Sequence, residues 1–279
     1  MTNIPFIDFG GSGSLLHFAH ANAYPPECYQ QFITPFLSNY HVMAIKHRPL
    51  WPGSHPRELT SWQVITDDVI HFFQQEGLQH VIGVGHSLGA VATMYAAVQC
   101  PHLFRAIVLI EPVFLPPQIL KLAAANPQAA AEQPFVLRAL HRRNRWQSRQ
   151  EAFDRFRSKS VFERWPDDSL WDYVNNGIHE EDGEFVLTYP QEWEGRVYAK
   201  PPLLVWEHIA QVTVPTLAVR ASETDTLFAE SWQLWQDLQP QATFVELVDL
   251  GHMLPMERPL LVAEIIQNWL EKEGLKRKD

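Results

Sequence analysis

The stretch of chain that most restricts the fold reads HVIGVGHSLGAVATMYAA and runs from residue 80 to residue 97. An apolar run typical of a buried strand leads into Gly85-His86-Ser87-Leu88-Gly89 and then directly into an alanine-rich segment typical of a helix. A chain that turns from strand to helix around one residue strains that residue and leaves no room for side chains at positions 85 and 89. The stretch therefore predicts a tight turn that holds the Ser87 hydroxyl clear of the sheet.

Strand-like and helix-like segments alternate along most of the chain. HVMAIK, HVIGVG and AIVLIEP are near-continuous apolar runs, whereas residues 62–76 and 259–271 place apolar side chains on one helical face. The alternation stops at residue 112 and resumes at PTLAVRA, which starts at residue 215. We expect residues 1–112 and 213–279 to form an α/β core, with a mostly parallel sheet and helices on both faces. Residues 113–212 are expected to form an insertion of short helices, in which most of the five tryptophans hold the insertion together.

Charge and cysteine content limit the classes of function. The formal net charge is −10, and a strongly acidic chain is poorly suited to bind nucleic acid or an anionic membrane surface. The expected partner is a small-molecule substrate. Two cysteines, Cys28 and Cys100, are too few for a disulfide framework. With no pattern of a secretory signal and no apolar run near the roughly 18 residues of a membrane-spanning helix, we expect a cytoplasmic protein.

Ser87 needs two further groups if it is a nucleophile, because a serine hydroxyl reacts only when a base removes its proton and a carboxylate orients that base. In a strand-turn-helix setting of this kind, the acid and then the histidine follow the serine along the chain. LVDLGHMLPMERP supplies His252 as the base, and VRASETDTLF supplies Asp225 as the acid. Three other carboxylates stay open as alternatives to Asp225: Glu111, Glu223 and Asp249.

These motifs together resemble the α/β-hydrolase superfamily, in the branch whose helical cap is inserted after the sixth strand. The resemblance rests on the GHSLG turn, the acid loop, the late GH loop and the segment HFAHANAYPP, and it covers nearly the whole chain. It implies that the backbone N–H of Asn22 is one oxyanion donor, with Ala21 standing where relatives commonly have glycine. The backbone N–H of Leu88, at the helix start, is the second expected donor. The chemistry that the resemblance implies needs no cofactor, and no residues of the sequence have the spacing of metal ligands.

A serine nucleophile narrows the expected chemistry, since haloalkane dehalogenases and epoxide hydrolases of this superfamily use aspartate. We expect a serine hydrolase that cleaves an ester-like bond in a small or medium, partly apolar substrate through an acyl-enzyme. Several activities that use the same triad stay open: lactonase, thioesterase, carbon–carbon bond hydrolase, acyltransferase and cofactor-free haloperoxidase. A ligand receptor with an inactive triad is the alternative from another class.

Overall fold

A computed structural model describes residues 3–275 of the chain. Residues 1–2 and 276–279, which belong to the predicted core, lie outside the described residues. Ten strands are present in this range: β1 Phe6–Gly10, β2 Ser14–Ala19, β3 Tyr40–Ile45, β4 Val81–His86, β5 Phe104–Ile110, β6 Arg145–Trp146, β7 Ile178–Glu181, β8 Glu184–Leu187, β9 Thr216–Ala221 and β10 Thr243–Leu247.

Thirteen α-helices lie between or after these strands in the described range: α1 Gln30–Ile33, α2 Gln63–Gln75, α3 Leu88–Gln99, α4 Pro117–Ala125, α5 Pro127–Ala131, α6 Pro134–Leu140, α7 Arg149–Arg157, α8 Asp167–Gly177, α9 Gln191–Tyr198, α10 Val205–Ile209, α11 Ala229–Leu238, α12 Leu254–Glu257 and α13 Pro259–Lys272. Short 3-10 helices occupy Pro26–Tyr29, Thr34–Ser38, Arg48–Leu50, Pro56–Glu58, Pro101–Leu103 and Ser160–Phe162. Among residues 3–275, no helix combines the length and the apolar character needed to cross a membrane.

Seven strands form one sheet in the order β1-β3-β2-β4-β5-β9-β10. The pairs from β3 to β10 are parallel, and β1 alone in this sheet runs antiparallel to its neighbour β3. The parallel strands therefore bring their carboxyl ends to one edge of the sheet, which is where loops carry chemistry in open α/β sheets. This arrangement confirms the expected α/β class with a mostly parallel sheet.

The sheet is buried on both faces because its strands alternate between two cores. In β3, Val42 and Ala44 pack into one core and Met43 and Ile45 into the other. The first core includes apolar residues of α13, and the second includes residues of α2, α3 and α11. Helices on both faces explain why these strands read as continuous apolar runs in the sequence.

The segment between β5 and β9 differs in two ways from its sequence-based description. It contains helices α4 to α10, as expected, but also a three-stranded antiparallel sheet in the order β6-β8-β7 that the sequence analysis did not include. The strand before the segment is β5, the fifth strand of this chain rather than the sixth. Three of its tryptophans, Trp146, Trp165 and Trp193, are at most 3% exposed and pack inside the structure.

Candidate active site

Ser87 lies at the turn between β4 and α3 in an uncommon backbone conformation, with φ of 55° and ψ of −115°. Its backbone N–H donates to the carbonyl oxygen of Ile110, the last residue of β5, at 3.0 Å. Positive φ costs a residue with a side chain about 1–3 kcal/mol, so the surrounding structure must hold Ser87 in place. The expected strained turn between strand and helix is therefore present.

Two glycines allow this turn to close. A Cβ atom added to Gly85 would collide with the backbone of Gly89 and Ala90. A Cβ added to Gly89 would collide with the carbonyl oxygens of Ala19 and His20, which lie at the end of β2. Gly85 thus lets helix α3 approach its own strand, and Gly89 lets it approach the neighbouring loop.

Ser87, His252 and Glu111 form a continuous hydrogen-bonded chain. The Ser87 Oγ lies 2.9 Å from His252 Nε2, and His252 Nδ1 lies 3.0 Å from Glu111 Oε2. A carboxylate only accepts, so Nδ1 carries the proton and Nε2 is free to accept from the serine hydroxyl. This is the tautomer that a general base for Ser87 requires.

Among the described residues, Asp225, the predicted acid, forms no hydrogen bond with His252, whose Nδ1 contacts Glu111 instead. The Asp225 carboxylate is exposed and accepts a hydrogen bond from the Thr226 hydroxyl at 3.1 Å. Of the other candidates, Glu223 forms an ion pair with Arg164, whereas Asp249 contacts the same arginine through its backbone carbonyl, at 3.3 Å. Glu111, an alternative from the sequence, occupies the position that was assigned to Asp225.

Glu111 reaches His252 because it follows β5 directly and turns there, with φ of 48°. The side chain is fully buried, and three donors surround its carboxylate. The Ala221 N–H donates to Oε1 at 2.7 Å and the Thr224 hydroxyl to Oε2 at 2.5 Å, in addition to His252. A buried carboxylate is tolerated when its oxygens are paired in this way, and the pairing also fixes the direction of the acid.

The histidine loop is fixed by a second carboxylate, that of Glu257 in α12. Its Oε2 accepts from the Gly251 N–H at 2.9 Å, one residue before His252. Burial raises the pKa of Glu257, whereas this backbone hydrogen bond opposes the rise. Glu257 therefore shapes the loop and does not contact the imidazole through a hydrogen bond.

The loop after β2, which contains Asn22, packs against the start of α3. Gly89, next to Leu88, packs against the carbonyls of Ala19 and His20 in that loop. The Leu88 N–H belongs to the first turn of α3, where a helix offers no acceptor of its own. The positive φ of the loop falls on Ala23, at 71°, and not on Ala21. Alanine at position 21 therefore fits the backbone without strain.

The side chain of Asn22 connects this loop to the inserted segment. Its Oδ1 accepts from the Tyr189 hydroxyl at 2.8 Å, and its Nδ2 donates to the Glu194 carbonyl at 3.3 Å. The Glu194 carboxylate pairs with Arg142 Nε at 2.6 Å. Burial raises the pKa of Glu194, and the charge of Arg142 opposes the rise. The insertion thus presents polar groups beside Asn22.

A surface cleft of about 520 Å³ lies apart from the triad, between residues 49–56 and the start of α9. Trp51 and Trp193 are among the residues that line it, and no triad residue does. Trp193 is only 1% exposed, which fits the expected role of these tryptophans in packing. The cleft therefore adds no group to the chemistry at Ser87.

Four fully buried histidines lie in or beside these loops: His17, His20, His47 and His86. Burial lowers the pKa of His17 and His86 to about 3 and that of His47 to about 4, and it holds the pKa of His20 well below 6.5. Since the unfolded chain protonates near pH 6.5, it binds more protons than the fold at lower pH. Stability should therefore be full above pH 6.5 and decline as the pH falls below it.

We expect His17, His47 and His86 each to cost about 1.5 kcal/mol of unfolding free energy between pH 6.5 and pH 5. Urea unfolding at several pH values measures this loss. His17→Leu is the matched variant, since His17 is packed against Phe72 and Phe73 and neither ring nitrogen has a partner in the described residues. His17→Leu should lose about 1.5 kcal/mol less unfolding free energy than wild type between pH 6.5 and pH 5, because one titrating histidine is gone. Unfolding free energy that stays constant from pH 7.5 to pH 5 would contradict the prediction.

The comparison with known families identifies the fold and its family together. The sequence model of the alpha/beta hydrolase family matches residues 18–265. A curated relative, the Abhydrolase domain-containing protein ACTT2 of Alternaria alternata, is 25% identical over 232 residues, which cover 70% of this chain and 84% of the relative.

Two solved structures are similar over nearly their whole length. E-2-(acetamidomethylene)succinate hydrolase superposes with a TM-score of 0.77 at 19% identity, covering 94% of this chain and 93% of that structure. The thioesterase domain from the curacin biosynthetic pathway also gives a TM-score of 0.77, at 18% identity and with 95% and 99% coverage. At these identities the likeness concerns the fold.

Proposed function

Because the chain belongs to the alpha/beta hydrolase family, we propose that it is a serine hydrolase with a Ser87–His252–Glu111 triad. Its substrate is a small or medium, partly apolar molecule with an ester-like bond. The observation that carries the proposal is the unbroken chain from the Ser87 hydroxyl through His252 to a buried carboxylate, with contacts of 2.9 and 3.0 Å. Three roles needed for acyl transfer are thereby filled by residues in contact.

The reaction proceeds in two stages through an acyl-enzyme. His252 Nε2 takes the proton of Ser87 as Oγ attacks the carbonyl carbon, and the protonated imidazole then gives that proton to the departing alcohol oxygen. Water enters next, His252 removes one of its protons, and the hydroxide oxygen attacks the acyl carbon so that Ser87 leaves with the proton restored. Glu111 keeps Nδ1 protonated and stabilises the imidazolium in both stages.

The negative oxygen of each tetrahedral intermediate is assigned to the backbone N–H groups of Leu88 and Asn22. The packing of Gly89 against the loop after β2 supports this assignment, since it brings the two backbone segments together. A preorganised donor of this kind contributes roughly 3–4 kcal/mol to transition-state stabilisation. The proposed chemistry uses no metal and no cofactor.

We also propose that residues 113–212 act as a cap over the reacting bond. Contacts at two places support this role. Tyr189 and Glu194 hold the side chain of Asn22, and Arg164 binds the two loops that carry Glu223 and Asp249. The cap residues beside Asn22 are polar, so the substrate end that lies there is expected to form hydrogen bonds.

A serine-directed fluorophosphonate tests the proposal directly. We expect one mole of label per mole of protein, located at Ser87, and turnover of at least one class in a panel of nitrophenyl esters, lactones and thioesters. Ser87→Ala should abolish both results. Ser231→Ala is the matched control, because Ser231 is fully buried in α11 and its hydroxyl has no hydrogen-bond partner among the described residues. Folded protein that neither takes the label nor turns over the panel would favour a ligand receptor on this fold.

A further inference from the structure

Three hydrogen bonds join the main chain of His252 to the loop that carries Asn22. His86 Nε2 lies 3.0 Å from the carbonyl oxygen of His252, and His86 Nδ1 lies 2.9 Å from the Tyr29 hydroxyl. The Tyr29 oxygen in turn accepts from the Ala21 N–H at 3.3 Å. We call this the His86–Tyr29 chain. Both side chains are buried, with exposures of 0% for His86 and 1% for Tyr29.

The direction of every bond in the His86–Tyr29 chain is determined by its two ends. A carbonyl oxygen only accepts, so His86 Nε2 must donate to His252. A neutral imidazole then leaves Nδ1 as an acceptor, and the Tyr29 hydroxyl must donate to it. The Ala21 N–H only donates, which uses the remaining acceptor capacity of the Tyr29 oxygen. One arrangement of protons therefore satisfies all three bonds.

The two ends of the His86–Tyr29 chain are bonded to the backbone of active-site residues, whose positions must be accurate to a fraction of an ångström. His86 is bonded covalently to Ser87, its ring contacts the carbonyl of His252, and Ala21 precedes Asn22. The His86 and His252 rings also lie close, with centroids 5.3 Å apart. The nucleophile, the base and one oxyanion donor are thus connected through two side chains that do not contact the reacting atoms.

The protonation state of His86 keeps this chain intact at working pH. Burial lowers the pKa of His86 to about 3. A second proton on His86 would place an N–H against the Tyr29 hydroxyl and force its proton to turn away. The neutral ring also adds no positive charge beside the imidazolium that His252 becomes during the reaction.

We propose that His86 and Tyr29 are positioning residues that fix the backbone of His252 and the oxyanion loop relative to Ser87. This inference rests on the proposed hydrolase function and concerns two residues that act through the backbone they hold. Interactions that position groups for the transition state change kcat more than KM when they are removed. An error of about 1 Å in such placement costs roughly 100-fold in rate.

Tyr29→Phe should lower kcat, whereas His86→Gln should retain it. Phenylalanine retains the ring that packs edge-on against Phe18, with ring centroids 4.7 Å apart, but it removes both hydrogen bonds of the hydroxyl. We expect kcat on the best nitrophenyl ester to fall about 10- to 100-fold, with KM within about twofold. Glutamine at position 86 retains one donor and one acceptor, so its kcat should stay within about threefold of wild type. His86→Leu should behave like Tyr29→Phe, and the double variant should lose no more than either single variant.

Tyr40→Phe is the matched control, since Tyr40 is equally buried but begins β3, at the opposite edge of the sheet from the triad. Melting temperatures and fluorophosphonate titration correct each rate for the fraction of folded, active protein. If Tyr29→Phe and Tyr40→Phe lose similar stability and both retain kcat, the hydroxyl is only structural and the inference is overturned. Equal losses of kcat for His86→Gln and His86→Leu would also overturn it. Wild-type protein without label or turnover would instead refute the hydrolase function on which it rests.

Discussion

Glu111→Gln is expected to lower the turnover of an activated ester by about four orders of magnitude, whereas Asp225→Asn should change it less than about threefold. A glutamine amide can donate to His252 Nδ1, which favours the tautomer with its proton on Nε2. That tautomer cannot accept the proton of Ser87. Asp225 is exposed and bonded to its neighbour Thr226, so its charge acts on the triad only through solvent.

The two variants are matched because each exchanges one carboxylate oxygen for an amide nitrogen. Rates per active site, corrected by fluorophosphonate titration, allow a direct comparison. Unfolding curves are needed for Glu111→Gln, because the Ala221 N–H and the Thr224 hydroxyl both donate to this carboxylate. A large loss of turnover for Asp225→Asn together with a small loss for Glu111→Gln would show that the triad uses Asp225.

Ser87→Ala should have a larger effect than Glu111→Gln, because it removes the nucleophile: kcat should fall about a million-fold. Removing the nucleophile leaves only the catalysis that the oxyanion donors and binding provide. Because the triad acts as a unit, adding His252→Ala to Ser87→Ala should lower the rate little further. Alanine tolerates φ of 55° no better and no worse than serine, so the turn should persist.

Acid quenching of wild-type protein during turnover should trap an acyl group on the peptide that contains Ser87. The same experiment with Ser87→Ala should yield the unmodified peptide. A Ser87→Ala protein that retains more than about a hundredth of the wild-type rate, with no contaminating hydrolase, would contradict an acyl-enzyme on this residue.

The turn at Ser87 could be predicted because local sequence determines it, and the place of His252 because it follows a strand expected in the parallel sheet. Gly85 and Gly89 are required by backbone clashes, and an apolar strand followed by an alanine-rich helix leaves one geometry for the residue between them. His252 follows β10, whose carboxyl end lies at the same edge of the sheet as Ser87. Strand order along the chain was therefore enough to bring these two residues together.

The acid could not be chosen in the same way. Glu111 and Asp225 both follow parallel strands, β5 and β9, and these strands are neighbours in the sheet. Their loops therefore reach the same edge. The difference lies in the turn at Glu111, where φ is 48°, and in the donors that gather around its carboxylate. Neither property is visible in the residue types of one sequence.

The small sheet of the insertion was missed although a local signal was present. Asp182 and Gly183 join β7 to β8 with φ values of 51° and 80°, as expected for an Asp-Gly hairpin turn. The sequence IHEEDGEFVL contains that dipeptide between two strand-like runs. The third strand, β6, has only two residues, and nothing in its local sequence distinguishes it from a loop.

The end of β5 serves two members of the triad at once. Ile110 accepts the N–H of Ser87, and the next residue is Glu111, whose own N–H donates to Val219 in β9. The inserted segment begins immediately afterwards. In a chimaera that exchanges the inserted segment for a segment of another protein, a junction at Pro112 would therefore leave Glu111 in the host sheet. A junction at Ile110 would instead replace two residues at once with those of the other protein: Glu111 and the residue whose carbonyl accepts the Ser87 N–H.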